Sequence, residues 1–120
     1  WLSDRIVSEV LSLEPLIALS FIAARTTTLK FGTSVLALPL RNPTVLAKEI
    51  ATLDYLSGGR VLPAVGLGTE DEREFEACGS PMRQRAGRTD EAIKVMRLLW
   101  SQDEVTFHGM ILCLTTMLPK

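Results

Sequence analysis

Polar and charged residues that could take part in chemistry follow three apolar segments of the chain. Asp4 and Arg5 come directly after the first segment, and Thr33 and Ser34 lie in the second. An Asp-Arg pair can bind a cofactor or act in catalysis, or it can be a surface ion pair that caps a loop, and the two residues alone favour neither. Hydroxyls in a buried strand are usually satisfied polar side chains near the strand end. The roles of the Asp-Arg pair and of the two hydroxyls therefore depend on the secondary structure elements around them.

A glycine pair, Gly66 and Gly68, follows the third apolar segment, with Leu67 between the two. A G-x-G-x-x-G dinucleotide fingerprint would need a third glycine where Asp71 stands. The acidic residues around Asp71 would also repel a pyrophosphate. A tight turn whose glycines let the backbone approach a ligand is the better interpretation. A Rossmann-type nicotinamide domain is the weaker alternative.

Two further groups of residues favour structural interpretations. Arg83, Arg85 and Arg88 resemble a phosphate clamp, but carboxylates at positions 90 and 91 follow closely and favour a solvated, salt-bridged helix start. His108 is the only histidine of the chain, so a histidine-based triad or a metal site built from several histidines cannot form within it. We interpret His108 as an ordinary strand-end residue and predict no metal site.

Periodicity, together with start and stop signals, predicts three helices separated by apolar strands. Pro15 begins the first helix and threonines 26–28 end it; Asn42 caps the second, which Gly58 and Gly59 end. A long helix covers about residues 84–100, with a buried stripe of Ile93, Met96, Leu99 and Trp100. Strands are predicted over residues 29–36, 60–66 and 105–108, and an acidic loop over residues 69–74. Pro63 is awkward in a central strand and indicates a bulge or a missing ladder bond.

Strands separated by helices predict parallel pairing with right-handed crossovers, either in a closed barrel or in a doubly wound open sheet. Periodicity alone does not choose between the two. In both, chemistry gathers at the carboxyl ends of the strands, which here are residues 3–5, 33–36 and 66–70. The candidate residues are therefore expected to lie along one edge of the sheet.

Composition limits the classes of protein and partner. The 120 residues carry a formal charge of -1 and are 47% hydrophobic, which is enough for one domain and indicates neither nucleic acid nor an anionic membrane as a partner. The longest apolar stretches are too short or too interrupted to span a bilayer. Cys78 and Cys113 form neither a disulfide framework nor a zinc spacing, so a reducing cytoplasm is the expected location.

Several segments, taken in order, resemble the luciferase-like monooxygenase family (the bacterial luciferase superfamily). The resemblance covers nearly the whole chain, and the ordered set is specific. The segments are residues 1–5, 29–35, 41–43, 47–54, 56–61, 66–68, 74–75 with Gly79, and 85–91 leading to 99–100 and 105–109. The Ser-Asp, Thr-Ser-Val and Leu-Ser-x-Gly-Arg-Val forms are most similar to the branch that uses coenzyme F-420.

The resemblance implies an α/β fold, a partial TIM (β/α)8 barrel with a parallel sheet. The chain would run from about strand 2 to strand 4 with their helices. Because such a barrel needs roughly 250 residues, residues 1–120 are expected to be an internal fragment of one barrel domain, cut at both ends. The implied activity is F-420-dependent hydride transfer to or from a small organic substrate, with an FMN-dependent monooxygenase as the alternative. An inactive truncated fragment is a further alternative, and a homodimer is possible.

The resemblance also implies roles for individual residues. Asp4 matches an aspartate beside the deazaflavin ring, and Arg5, the candidate catalytic residue, occupies a slot that is often histidine. Arginine stays protonated and cannot be a general base, so it would stabilise an anionic cofactor or substrate. Ser34 and Val35 match the site of a non-prolyl cis peptide under the ring. Gly66, Leu67 and Gly68 match the strand end that approaches the cofactor, and Thr69 and Glu70 match the start of the substrate pocket.

Overall fold

The computed structural model describes residues 1–117 of the chain, and residues 118–120 at the end of the predicted domain lie outside the described part. Helices and strands alternate over most of its length. The helices are α1 (Pro15–Arg25), α2 (Pro43–Ser57), α3 (Glu72–Ala77) and α4 (Arg85–Ser101), with 3-10 turns at Leu38–Leu40 and Met82–Gln84. The strands are β1 (Phe31–Gly32), β2 (Leu36–Ala37), β3 (Val61–Leu62), β4 (Val65–Gly66), β5 (Glu104–His108) and β6 (Cys113–Met117).

The first four strands form the parallel part of the fold. β1 pairs with β3, Phe31 opposite Val61, and β2 pairs with β4, Ala37 opposite Gly66. Leu2 adds a parallel bridge to Thr33 on the other side. Three chain segments, residues 2–4, 31–37 and 61–66, thus lie side by side in the order of the sequence. Parallel pairing across helical crossovers is confirmed for these segments.

Each of the two longer predicted strands is interrupted, at Ser34–Val35 in one and at Pro63 in the other. Proline has no N–H for the ladder, and the Thr33 side chain supplies hydrogen bonds at this point. The Thr33 hydroxyl donates to the Ala64 carbonyl at 2.7 Å and accepts from the Ala64 N–H at 3.1 Å. Pro63 therefore sits at a break in the ladder that a buried threonine bridges.

Helices α1 and α2 begin where the sequence predicts. The side chain of Glu14 caps α1 by accepting from the N–H of Ile17 at 2.7 Å, and Asn42 caps α2 by accepting from two backbone N–H groups. Gly58 ends α2 with a φ of 71°, the left-handed conformation that glycine tolerates. These local signals fix the two helices that follow the first two strand ends.

The core lies between the parallel strands and the inner faces of α1, α2 and α4. Its members are apolar side chains of at most 8% exposure: Leu16, Leu19, Phe31, Leu36, Leu38, Leu46, Ala47, Ile50, Leu53, Ala92 and Met96. The predicted stripe of α4 is partly wrong, because Ala92, Val95 and Met96 are its buried apolar residues while Trp100 is 47% exposed. The Trp100 indole N–H donates to the Ala47 carbonyl at 3.0 Å, so the ring lies at the edge of the α2–α4 contact.

The predicted acidic loop over residues 69–74 is only partly a loop, since α3 begins at Glu72. Asp71 caps this helix by accepting from the N–H of Arg73, and Glu72 and Glu74 lie in the first turn. Negative side chains are favourable there because the amino end of a helix carries a partial positive charge. An acidic run that reads as a loop therefore serves as a helix start.

Strands β5 and β6, which no helix separates, form an antiparallel hairpin, and the second strand of this hairpin was not predicted from the sequence. Their register runs from Glu104 opposite Met117 to His108 opposite Cys113. The connection of four residues is far too short for a parallel crossover, which needs about a dozen residues or more. Within the described residues, no helix is long and apolar enough to cross a membrane.

Candidate functional site

The carboxyl ends of the parallel segments bring four of the predicted site residues together. The N–H of Asp4 donates to the Val35 carbonyl at 3.3 Å, and the N–H of Ser34 donates to the Leu2 carbonyl at 2.6 Å. Gly66 lies beside Val35, close enough that a Cβ at position 66 would be 2.7 Å from Val35 Cγ2. Asp4, Ser34, Val35 and Gly66 therefore form one contiguous edge, as the strand order predicts.

Asp4 is buried, and its partner is Arg41. The Arg41 Nε donates to Asp4 Oδ2 at 2.9 Å and Nη2 donates to Oδ1 at 2.8 Å, while the Ala37 N–H also donates to Oδ2 at 3.1 Å. Of the two alternatives for Asp4 and Arg5, the surface ion pair is wrong, since the carboxylate of Asp4 is buried and pairs with Arg41. The 3-10 turn after β2 brings Arg41 back to the strand end, and Arg5 is exposed.

Arg41 also binds Glu14, with Nη2 2.9 Å from Oε1. Burial acts to lower the pKa of Arg41, but hydrogen bonds and charge attraction from Asp4 and Glu14 outweigh it and raise the pKa. The guanidinium therefore stays cationic and joins the first strand end, β2 and the amino end of α1. Sequence reasoning did not predict this role, although Arg41 lies in a segment that carries the family resemblance.

The peptide bond between Ser34 and Val35 is cis, which confirms the geometry that the resemblance implies. Ser34 is exposed and Val35 is 41% exposed, whereas both residues of β2, which follows directly, are buried. The absence of a side chain at Gly66 leaves room for Val35. The strand end thus presents an apolar side chain and a hydroxyl to the outside of the sheet edge.

The turn after β4 carries the remaining predicted residues. Gly68 has a φ of 82° and lies against Ala37 and Phe75, where a Cβ would be 3.4 Å from each of two side-chain atoms. Leu67 is 43% exposed, and Glu70 is almost fully exposed. Arg85 donates to the Thr69 carbonyl at 3.0 Å. Arg85 therefore supports this turn, and the carboxylate it approaches is Glu70 at 3.9 Å, not one of the carboxylates at positions 90 and 91 that the sequence interpretation expected.

Glu74 connects the loop after the first strand end, at residues 6 and 7, to the loop after β4, at Thr69. This role of Glu74 was not predicted from the sequence. Its side chain is buried and accepts from the N–H groups of Ile6 and Val7 at 3.0 Å each, and from the Thr69 hydroxyl at 2.7 Å. A buried carboxylate is tolerated when several donors satisfy it. Glu74 lies beside buried Phe75 in α3, and an acidic residue on the buried side of a helix is the signal that could have identified it.

Charges of both signs surround the mouth of the site. Arg73 forms a bidentate pair with Asp71 at the start of α3, and this hydrogen bonding lowers the pKa of Asp71 to about 2. The charge of Arg5 contributes in the same direction. No group of three or more His, Cys, Asp or Glu side chains that could hold a metal ion occurs among residues 1–117.

Comparisons with known proteins point to one family. The family model described as luciferase-like monooxygenase matches residues 1–119. An F-420-dependent glucose-6-phosphate dehydrogenase of Kineococcus radiotolerans is 40% identical in an alignment of 98 residues that covers 78% of this chain and 28% of that protein. A protein of the same name from Intrasporangium calvum is 39% identical over 100 residues, covering 77% of this chain and 30% of its own length.

Solved structures agree with the fold. A monooxygenase from Streptomyces bottropensis superposes with a TM-score of 0.87 at 28% identity, covering 98% of this chain and 37% of its own. The oxygenating constituent of a Pseudomonas putida diketocamphane monooxygenase superposes with a TM-score of 0.80 at 19% identity, over 98% of this chain and 33% of its own. Part of a (β/α)8 barrel, the fold class predicted from the sequence, is confirmed. The chain spans about a third of the length of these proteins.

Proposed function

The chain belongs to the luciferase-like monooxygenase family, and on that premise we propose that it forms part of a flavin-type oxidoreductase whose cofactor lies at the carboxyl ends of its parallel strands. Residues 1–120 would then belong to a single barrel domain. The observation that supports this most directly is the strand edge itself, where exposed Val35 stands over Gly66 beside the buried Asp4–Arg41 pair. Ligands of parallel barrels bind at this end of the strands.

The residues at the edge fit a flat ring system. Val35 and Leu67 offer apolar surface, 41% and 43% exposed, at the ends of neighbouring segments. Gly66 and Gly68 add no side chains of their own to the edge; Val35 packs against Gly66, and Ala37 and Phe75 pack against Gly68. We propose that Ser34, Val35 and these three residues of the β4 turn hold the ring. Asp4 would line the same site, with its carboxylate fixed by Arg41.

We propose coenzyme F-420 as the cofactor, because the relatives at 39–40% identity are named for its use. When bound, this coenzyme supplies hydride transfer at C5 to or from a small organic substrate. The alternative is an FMN-dependent monooxygenase of the same family, favoured by the 28% identical monooxygenase from Streptomyces bottropensis.

The substrate would meet charged and polar residues of this chain at the mouth of the site. Arg5 is exposed after the first strand end and cannot act as a base, so we propose that it stabilises an anionic group of the substrate or cofactor. Thr69 and Glu70 would border the substrate pocket. Thr69 is held in place by Glu74, whereas the side chain of Glu70 is 91% exposed and available for contact.

The test is an anaerobic titration of the full-length parent protein with F-420 and with FMN, followed by absorbance and fluorescence. We expect tight binding of F-420 and weak binding of FMN. Preference for FMN would replace the proposal by the monooxygenase alternative, and binding of neither would overturn both. The same titration on the 120-residue chain alone tests the further alternative, an inactive fragment, for which we expect no binding.

Two further proposals concern the oligomeric state and the cellular location of the protein. Exposed apolar side chains on α1 and α2, Ile17 and Leu56, border a groove of about 730 Å³ between the helices and fit a homodimer. Light scattering of the full-length protein tests this.

Both cysteines are free, which fits the reducing cytoplasm as the location. Fractionation of the native cells tests that proposal.

A further inference from the structure

At the turn end of the β5–β6 hairpin, an imidazole side chain contacts a thiol. His108 and Cys113 lie directly opposite each other in the antiparallel register, and His108 Nδ1 is 3.1 Å from Cys113 Sγ. Both residues are exposed. Side chains that face each other at such a position share one side of the ladder. The contact is therefore a direct consequence of the register.

A side chain of α4, Glu91, holds the hairpin turn in place through hydrogen bonds. The Glu91 carboxylate accepts from the N–H groups of Met110, Ile111 and Leu112 at 2.8–3.1 Å. The Gly109 N–H donates to the Leu112 carbonyl at 2.8 Å and closes the turn. A side chain at Gly109 would overlap the Glu91 carboxylate, so glycine is required for this docking. The turn next to the His108–Cys113 pair is thus anchored to a long helix.

The other free cysteine, Cys78, provides the comparison. Burial, followed by the charge of Glu74, raises the pKa of the Cys78 thiol, and a thiol that holds its proton is a poor nucleophile. Cys113, by contrast, has a ring nitrogen within hydrogen-bond distance that can take its proton. The two exposed thiols therefore differ in their neighbours, since Cys113 contacts an imidazole and Cys78 lies near the charge of Glu74.

We propose that Cys113, with His108 as its base, is a site of reversible thiolation by low-molecular-weight disulfides. The reaction requires the His108 tautomer with its proton on Nε2, so that Nδ1 accepts the thiol proton. The Cys113 thiolate attacks one sulfur of the disulfide, the S–S bond of the small molecule breaks, and a new S–S bond forms to Cys113 Sγ. The released thiolate takes the proton from the imidazolium Nδ1, and no external oxidant is needed. An excess of small thiol reverses the exchange.

The test is reaction of the full-length protein with cystamine, followed by the mass of the peptides that carry Cys78 and Cys113. We expect Cys113 to form the mixed disulfide on the order of tenfold faster than Cys78. His108→Gln should slow Cys113 about tenfold and leave Cys78 unchanged. Because position 108 is exposed at a strand end, this substitution is not expected to unfold the chain.

Two controls make the result decisive. In concentrated guanidinium chloride the two cysteines should react at similar rates, because the pair and the environment of Cys78 are both lost. Cys78→Ser should leave the rate at Cys113 unchanged. Equal rates at the two cysteines in buffer, or an unchanged Cys113 rate in the His108→Gln variant, would overturn the proposal.

Discussion

Arg41 and Asp4 meet through two parallel hydrogen bonds of 2.8 and 2.9 Å, although 37 residues separate them in the chain. Only 2% of the Asp4 side chain and 18% of the Arg41 side chain is exposed. The planar guanidinium matches both carboxylate oxygens, a geometry that the lysine ammonium does not offer. The pair fixes the first strand end of the candidate site against the turn that follows β2.

Removal of Arg41 should destabilise the protein because it leaves the Asp4 carboxylate buried without its cation. Arg41→Met is expected to lower the free energy of unfolding by about 3 kcal/mol, and Arg41→Lys by less. The measurement is urea unfolding of the full-length protein. Arg73→Met is the control, since its pair with Asp71 lies at the surface and should contribute little. Equal effects of Arg41→Met and Arg73→Met would contradict the role given to the buried pair.

The break at Pro63 gives a second prediction. Thr33→Val keeps the shape of the side chain but removes both hydrogen bonds to Ala64. The half-buried Ala64 N–H then loses its partner, whereas the Ala64 carbonyl keeps the hydrogen bond from the Leu36 N–H at 2.9 Å. We expect a loss of about 1–3 kcal/mol in the free energy of unfolding. Thr52→Val is the matched control, because the Thr52 hydroxyl bonds only to a carbonyl within α2 at the surface. A Thr33→Val protein as stable as Thr52→Val would show that the bridge is dispensable.

Local signals predicted α1, α2 and α4, although not α3, because the atoms that start and stop a helix are close in sequence. Asn42, Pro43 and Gly58 determine the ends of α2 within their own turns. Strand ends were also placed correctly, and with them the edge that holds Ser34, Val35 and Gly66. The cis bond at Ser34 came from family resemblance, since no periodicity of the sequence predicts it.

The unpredicted parts of the site depend on contacts between distant residues. The Arg41–Asp4 pair leaves no local pattern in the sequence, and neither do the contacts of Glu74 to Ile6 and Val7, which are 68 and 67 residues away. The hairpin was missed because residues 113–117 have no clear alternation. Burial of Trp100 was expected from helical spacing, but the stripe of α4 is rotated toward Ala92 and Val95.

Glu74 should control the order of the loop that carries Arg5. Glu74→Gln keeps the volume but replaces one acceptor oxygen by an amide that donates, which weakens bonds to Ile6, Val7 and Thr69. We expect a loss of about 1.5–3 kcal/mol in stability. Amide hydrogen exchange at positions 6 and 7 should accelerate in the full-length protein. Glu76→Gln is the control on the same helix, because Glu76 is exposed, and it should change neither quantity.

Gly66 tests the position of the cofactor proposed above. In Gly66→Ala the new Cβ would lie 2.7 Å from Val35 Cγ2, so Val35 must shift. We expect affinity for F-420 to fall about tenfold or more, with the helices unchanged by circular dichroism. Gly87→Ala is the matched control, because the atom it would meet at 3.0 Å is the tip of Ile111, outside the strand edge. Unchanged affinity in Gly66→Ala would argue against a cofactor seated over Val35.

Glu91 should make the β5–β6 hairpin sensitive to acid. Burial acts to raise the pKa of Glu91, but the N–H groups of Leu112, Met110 and Ile111 outweigh it and lower the pKa below its ordinary 4.5. Because the folded pKa is depressed, the carboxylate stabilises the turn above pH 4.5, and this contribution is lost as the pH falls through the folded pKa.

The measurement is amide exchange at positions 110–112, followed downward from pH 6 and corrected for the intrinsic dependence of exchange on pH. We expect protection to fall below pH 4.5. Glu91→Gln should show weaker protection at pH 6 and lose the acid-dependent step, because no carboxylate remains to titrate. Asp90→Asn is the matched control on the adjacent, exposed position and should keep the step. A step that persists in Glu91→Gln would assign the acid sensitivity to another group.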